Sequence, residues 1–287
     1  MSAPMSAVAA AAYLHHMELQ SANPARLAEF YDRVMQMKAE KLKAEKLEGD
    51  RFICRGADRT MLIGKGRDKA LGFAAFACRD AEALEGVRLY VERAGGKIEK
   101  SPSPLFDDRA FAVRDPEGNA IVFGLAKTPA GAASRDIRGP LQHITFGSTD
   151  LVPMEKFYVS VLGMALSDRV KDDKGRMTTC FVRSTHEHHT VGMFLKPEAG
   201  LDHHSYEAGE WTTIRDWGDH LGALHEPIVW GPGRHGPGNN LFIFIKDPDG
   251  NMIEISAEIE YVRDRPVMEW KHEPYTLNSW GPAIMRI

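Results

Sequence analysis

Two stretches of the chain carry the same run of apolar and polar positions. LHHMELQSANPARLAEFYDRVMQMK begins at Leu14, and LQHITFGSTDLVPMEKFYVSVLGMA begins at Leu141. Each opens on strand-like alternation, crosses a polar turn and enters an amphipathic helix carrying Phe-Tyr. His16 matches His143, and Phe30-Tyr31 matches Phe157-Tyr158, both at an offset of 127. The copies also close alike, on RAFAVRDPEGNAIVFGL and NLFIFIKDPDGNMIEIS. Asp115-Pro116-Glu117-Gly118-Asn119 matches Asp247-Pro248-Asp249-Gly250-Asn251 at an offset of 132. Asp-Pro-x-Gly-Asn between alternating apolar runs reads as a hairpin turn, because proline presets φ and glycine permits φ > 0. Landmarks at a near-constant offset make chance similarity a poor explanation. The chain reads as two copies of one module.

Each copy reads as a strand, a helix and about three further strands. In the second copy the pattern predicts a helix from Leu151 to Leu162, strands over MTTCFVR and HTVGMFL, and a helix from Trp211 to Leu224. KTPAGAASRDIRGP, residues 127–140, is rich in Ala, Gly, Ser and Pro and is read as the linker. The expected organisation is an N-terminal module over 1–126, without a complete metal site, and a C-terminal catalytic module with a tail over 141–287.

The copies differ where chemistry would sit. In MIEIS, alternation puts Ile253 and Ile255 on one face and Glu254 on the other. The sister strand AIVFG has Val122 there. GLDHHSYEA aligns with ALGFAAFAC, so His204 corresponds to Ala74. A glutamate aimed inward from a strand is costly unless paired or metal-bound, and the valine in the sister copy shows that the fold does not need it. With His143, these residues make two imidazoles and one carboxylate. That set leaves coordination positions open and suits Fe(II). His203, beside His204, points to the opposite face, and periodicity alone does not choose between the two. His16 is read as a core or surface histidine lacking the other two ligands.

Composition narrows the partners. A formal net charge of -4 without a basic block argues against nucleic acid. No apolar run approaches the ~20 residues that cross a bilayer. The alanine-rich start is read as a frayed segment rather than a secretory signal. Cys54, Cys78 and Cys180 are far apart and odd in number, which fits a reducing cytoplasm and small buried roles.

LQHITF, HHTVGMFL, LDHHSYE and GPGRHGPGNNLFIFIKDPDGNMIEIS resemble segments of the two-module type I extradiol ring-cleavage dioxygenases of the vicinal oxygen chelate superfamily. The resemblance spans about residues 10–280. It implies an α+β fold of two tandem modules, each of paired βαβββ units forming an open mixed sheet, or half-barrel, around a cavity. It implies Fe(II), with Mn(II) as the alternative, held by His143, His204 and Glu254, and so selects His204 over His203. It puts an acid/base histidine at His189 and a supporting histidine at His235. The tail YTLNSWGP, residues 275–282, is expected to fold over the site mouth. Many members have a tyrosine nine residues after the GRHG histidine; here that position is Phe244, which keeps the ring and loses the donor. Tyr206, a second pocket candidate, and His188 are the residues considered as substitutes.

The implied reaction is cleavage of an aromatic ring next to a vicinal diol with O2, giving a muconic semialdehyde-type product, in a homo-oligomer of aromatic catabolism. Phe244 keeps a non-oxidative relative, such as a glyoxalase-like isomerase, epimerase or hydrolase, as the runner-up. A small-ligand-binding protein without turnover ranks third.

Overall fold

The computed structural model describes residues 3–42, 50–126 and 137–285. Most of the expected linker, residues 127–136, lies outside them. The first module runs β1 (Tyr13–Ser21), α1 (Pro24–Arg33), β2 (Lys38–Lys41), β3 (Phe52–Arg55), β4 (Thr60–Lys65), then β5 (Ala70–Cys78), α2 (Ala81–Arg93), β6 (Glu99–Lys100), β7 (Phe111–Arg114) and β8 (Ala120–Leu125). The second runs β9 (Leu141–Ser148), α3 (Leu151–Lys156), β10 (Ala165–Lys171), β11 (Met177–Arg183), β12 (Val191–Leu195), then β13 (Gly200–Gly209), α4 (Trp211–Ala223), β14 (Trp230–Arg234), β15 (Leu241–Lys246) and β16 (Met252–Ala257). Each module is therefore a pair of βαβββ units. A last strand, β17 (Met268–Lys271), and a short helix, α5 (Pro274–Leu277), form the tail.

The two sheets repeat one topology. The orders are β2-β3-β4-β1-β5-β8-β7-β6 and β14-β15-β16-β13-β9-β12-β11-β10-β17. Both sheets are mixed and open. The two units of each module join through their first strands, which pair antiparallel as β1 with β5 and β9 with β13.

Local chemistry accounts for the elements. Pro24 opens α1, and the Asn23 side chain accepts from the Arg26 amide as its cap. α4 buries Ile214, Trp217 and Leu221, spaced to line one helix face. Each such side chain contributes roughly 1.5–3 kcal/mol by leaving water. The predicted Leu151–Leu162 helix forms, but α3 passes at Phe157–Val161 into a π-helical turn. Both Asp-Pro-x-Gly-Asn segments turn as expected. Asp115 Oδ1 accepts from the amides of Glu117 and Asn119, and Asp247 Oδ1 from those of Asp249 and Asn251. Gly118 and Gly250 both sit at φ +86°, a conformation that favours glycine.

The start of the chain departs from the frayed-segment expectation. Ala7, Ala10 and Ala12 are fully buried. The Met5 amide bonds Gly86 O at 2.8 Å, and the Ala7 amide bonds Leu162 O at 2.9 Å. Small alanine side chains let this backbone lie close against both modules.

One apolar core runs through both modules and includes the α1, α3 and α4 faces. The concave side of each sheet differs. In the first module it is filled by Ile53, Leu62, Phe73, Phe106, Val122 and their neighbours. In the second, Val170, Phe181, Phe194, Phe244 and Leu277 border a cavity instead.

Candidate metal centre

Three strands of the second sheet bring the chemistry to one row. Register places His143 of β9 opposite Ser205 of β13, and Ser205 opposite Glu254 of β16. Directly paired residues share a face of a sheet, and positions two apart on a strand do too. His203 therefore joins His143 and Glu254 on the concave side, and His204 points away. Glu254 Oε2 lies 3.0 Å from His143 Nε2 and 3.3 Å from His203 Nε2. One ligand atom from each of the three residues lies within 4.8 Å of the others, and all three residues are buried.

This corrects the choice of His204. Its ring is buried on the far face, where Nε2 sits 3.0 Å from the Tyr31 hydroxyl of α1. Burial, with the charges of His203 and His143, pushes its pKa down to about 3. His204 is thus a neutral histidine at the contact between modules, and Ala74 reports how the sister strand packs. Tyr206 follows the same alternation. Its ring meets His204 edge-on and is fully buried away from the cavity, so it is not a pocket residue.

The physical reason lies in two β-bulges. Between β13 and β9 the register slips at Asp202 and again at Gln142. Leu201 faces the core, and after the slip His203 faces the cavity. Alternation counted from Leu201 gives the opposite answer to alternation counted from Tyr206, because an extra residue intervenes. The bulged residues also act on the ligand candidates. Asp202 Oδ1 accepts from His203 Nδ1 at 2.7 Å, and Gln142 Oε1 accepts from His143 Nδ1 at 3.2 Å. Each contact leaves Nε2 as the nitrogen facing Glu254. The sequence search missed both residues; a polar residue immediately before each cavity histidine was the available signal.

The electrostatics suit a cation. Burial raises the Glu254 pKa, but the His143 charge and hydrogen bonds from His143, His203 and His235 outweigh it and hold the carboxyl well below its usual range. Burial lowers the His143 pKa, only partly offset by Glu254. For His203, burial is outweighed by Asp202 and Glu254, and its pKa rises. Asn240 Nδ2 donates to Glu254 Oε1 at 3.1 Å and fixes its second oxygen. Two imidazole nitrogens and one ionised oxygen converging in a buried site fit a divalent transition metal.

The other predicted residues surround this trio. His189 lines the cavity, its ring centroid 4.3 Å from that of His143. Burial and the neighbouring His143 and His188 charges push its pKa well below the usual range. His235 lines the mouth, with Nε2 3.5 Å from Glu254 Oε1 and Nδ1 bonded to Leu277 O. Phe244 stands edge-on to His203 at 5.3 Å and stacks on Trp230 at 5.1 Å. His188 does not reach the cavity and so cannot replace a phenol there. Of the tail, Thr276 and Leu277 form part of the cavity wall. The cavity has about 450 Å³ of empty space, mouth included, and aromatic and aliphatic side chains dominate its walls.

The sister position explains itself. His16, Phe73 and Val122 occupy the equivalent row. His16 is a satisfied core histidine, bonded to Ser103 Oγ at 2.7 Å and facing His15 Nδ1 at 2.8 Å.

Comparison with known proteins adds to this geometry. The model of the Glyoxalase/Bleomycin resistance protein/Dioxygenase superfamily matches residues 13–123 and 141–255. Metapyrocatechase 2 from Cupriavidus necator is 24% identical over 245 residues, covering 77% of this chain and 75% of that protein. Biphenyl-2,3-diol 1,2-dioxygenase 3 from Rhodococcus globerulus is 29% identical over 156 residues, covering 50% of this chain and 76% of that protein. Homoprotocatechuate 2,3-dioxygenase from Arthrobacter globiformis shares the fold, with a TM-score of 0.81 at 21% identity over 99% of this chain and 91% of that one.

Proposed function

The chain belongs to the Glyoxalase/Bleomycin resistance protein/Dioxygenase superfamily, and on that premise we propose that it is an extradiol dioxygenase of aromatic catabolism that opens a ring beside a vicinal diol with O2. The observation that carries this reading is the convergence of His143, His203 and Glu254 at the floor of an aromatic-walled cavity, with His189 and His235 beside them. The relatives named for cleavage of catechol-type diols support it.

His143, His203 and Glu254 would hold Fe(II), with Mn(II) as the alternative that the same donor set accepts. When bound, that cation would lower the pKa of a hydroxyl held against it and hold diol and O2 side by side. The chain does the rest. Phe181, Phe194 and Phe244 offer faces and edges to a flat ring and exclude water. His189, buried and without charge, stands where a diol proton leaves. His235, held by Leu277 O, presents a nitrogen at the mouth for hydrogen bonding to an oxygen of the substrate. Leu277 and Thr276 close the side toward solvent.

Phe244 favours keeping a second reading, a non-oxidative isomerase, epimerase or hydrolase using the same cation as a Lewis acid. The wall lacks a phenolic donor at this position. Loading the protein with Fe(II) anaerobically, then adding air and a panel of catechols, hydroquinones and bicyclic diols, separates the two. O2 uptake with a yellow ring-opened product is expected. Turnover of a chelating carbonyl substrate without O2 uptake would overturn the dioxygenase. We place the enzyme in a reducing cytoplasm as a homo-oligomer; the three buried free cysteines support the first part.

A further inference from the structure

Behind His189 lies a buried line of groups that contact neither the metal trio nor the cavity. His189 Nδ1 lies 2.9 Å from His188 Nδ1. On the far side of its ring, His188 Nε2 lies 3.0 Å from Asp168 Oδ2, an ion-pair distance without hydrogen-bond alignment. Both side chains are fully buried. Asp168 is clamped in turn. Its Oδ1 accepts from Arg265 Nη1 at 2.8 Å, and its Oδ2 accepts from Trp270 Nε1 at 2.8 Å. Arg265 also grips Glu260 through two nitrogens. The line thus runs from the tail strand, through β10 and the loop before β12, to the cavity wall.

We infer that Asp168 and His188 are positioning residues that fix which nitrogen of His189 carries its proton, leaving Nε2 bare and facing the cavity. The inference rests on the dioxygenase reading for its kinetic consequence, but its structural content does not. An ionised carboxylate 3.0 Å from His188 Nε2 favours the proton on that nitrogen. A neutral imidazole has one donor and one acceptor, so His188 Nδ1 is then the acceptor. Two facing Nδ1 atoms at 2.9 Å need one proton between them, and it comes from His189. His189 Nδ1–H therefore donates to His188, and His189 Nε2 keeps a lone pair. Among the described residues nothing else bonds that nitrogen. When the diol enters, its O–H bond breaks, the electron pair stays on oxygen, and the proton passes to Nε2. The resulting imidazolium still donates from Nδ1 to His188, and the Asp168 carboxylate offsets its charge from the far side of the His188 ring. The contrast with the cavity histidines is informative. His143 and His203 also have Nδ1 engaged from behind, but by an amide and a carboxylate.

Asp168 also holds Arg265 and Trp270, so the test is made at His188. His188→Leu removes the acceptor, and His188→Asn keeps an oxygen near the place of Nδ1. Nitrogen-15 spectra of histidine-labelled, Zn(II)-loaded protein, with the His189 pattern assigned by its loss in His189→Gln, should show Nδ1–H in the wild type. The proton should move to Nε2, or split between the two, in His188→Leu. In steady state with Fe(II) and a cleaved diol, kcat should fall at least about 10-fold in His188→Leu with KM and metal content near wild type, within the roughly 10²–10⁴ that a positioned proton acceptor supplies. His188→Asn should recover part of that loss. A wild-type His189 protonated at Nε2, or a kcat in His188→Leu within two-fold of wild type, would overturn the inference. If no diol is cleaved by the wild type, the dioxygenase reading fails and the spectra alone decide this one.

Discussion

His203→Ala and His204→Ala should fail in opposite ways, although the residues are neighbours. His204→Ala removes the partner of the Tyr31 hydroxyl, 3.0 Å away, inside a contact between modules. A buried hydroxyl left without a partner is unfavourable by about 1–3 kcal/mol, and the vacated ring volume brings the total to about 2–5 kcal/mol. For a chain of this size that lowers Tm by on the order of 3–8 °C. The trio of His143, His203 and Glu254 is untouched, so metal content should stay stoichiometric. His203→Ala deletes one of the three candidate ligands. Loss of a mere supporting contact weakens metal binding roughly 10–100-fold, so loss of a ligand should exceed that. The assay is metal analysis after gel filtration, paired with thermal melts with and without added Fe(II) or Zn(II). A cation at a hundred times its Kd stabilises the fold by about 2.7 kcal/mol. Wild type and His204→Ala should show that added stability, and His203→Ala should not. Retained metal in His203→Ala, with metal lost from a still cooperatively folded His204→Ala, would refute the assignment and the bulge argument beneath it.

Four further outcomes can be checked. Asp202→Ala should weaken metal affinity about 10–100-fold by freeing the His203 ring, read by chelator competition, and an unchanged affinity would remove Asp202 from the centre. His189→Ala should keep its metal yet lose most turnover, whereas equal turnover would exclude His189 from proton transfer. Phe244→Tyr should fold normally in the space beside His203, and a gain on plain catechols would mark Phe244 as a specificity change. Glu207 has its pKa raised to about 7 by burial and by Glu187. The folded state therefore holds a proton that the unfolded chain releases near 4.5, and the stability this contributes, full below that value, is lost as pH rises through 7. Glu207→Gln should match wild type near pH 4 and exceed it by about 1–3 kcal/mol at pH 8 in urea titrations; parallel pH profiles would contradict this.

The repeat, the hairpin turns and the amphipathic helices were written in local patterns, because residues a few positions apart decide them. His143 and Glu254 were legible for the same reason: each stands out against its own strand and against its counterpart in the sister copy. His189, His235 and Phe244 followed from motif resemblance, and the cavity holds all three. The choice between His203 and His204 was not local. It turns on two bulges that shift β13 against β9, and an inserted residue reverses every alternation beyond it without changing composition. His204 looked like a ligand because its counterpart is Ala74, yet what distinguishes it is Tyr31 from the other module. Asp202, Gln142 and the Asp168–His188 line were invisible for a related reason. Asp202 and Gln142 bond their neighbours only because bulges turn them, and Asp168 meets His188 only across the sheet. The sequence by itself determined the fold and two of the three ligand candidates; strand register, a property of pairs of distant segments, decided the third.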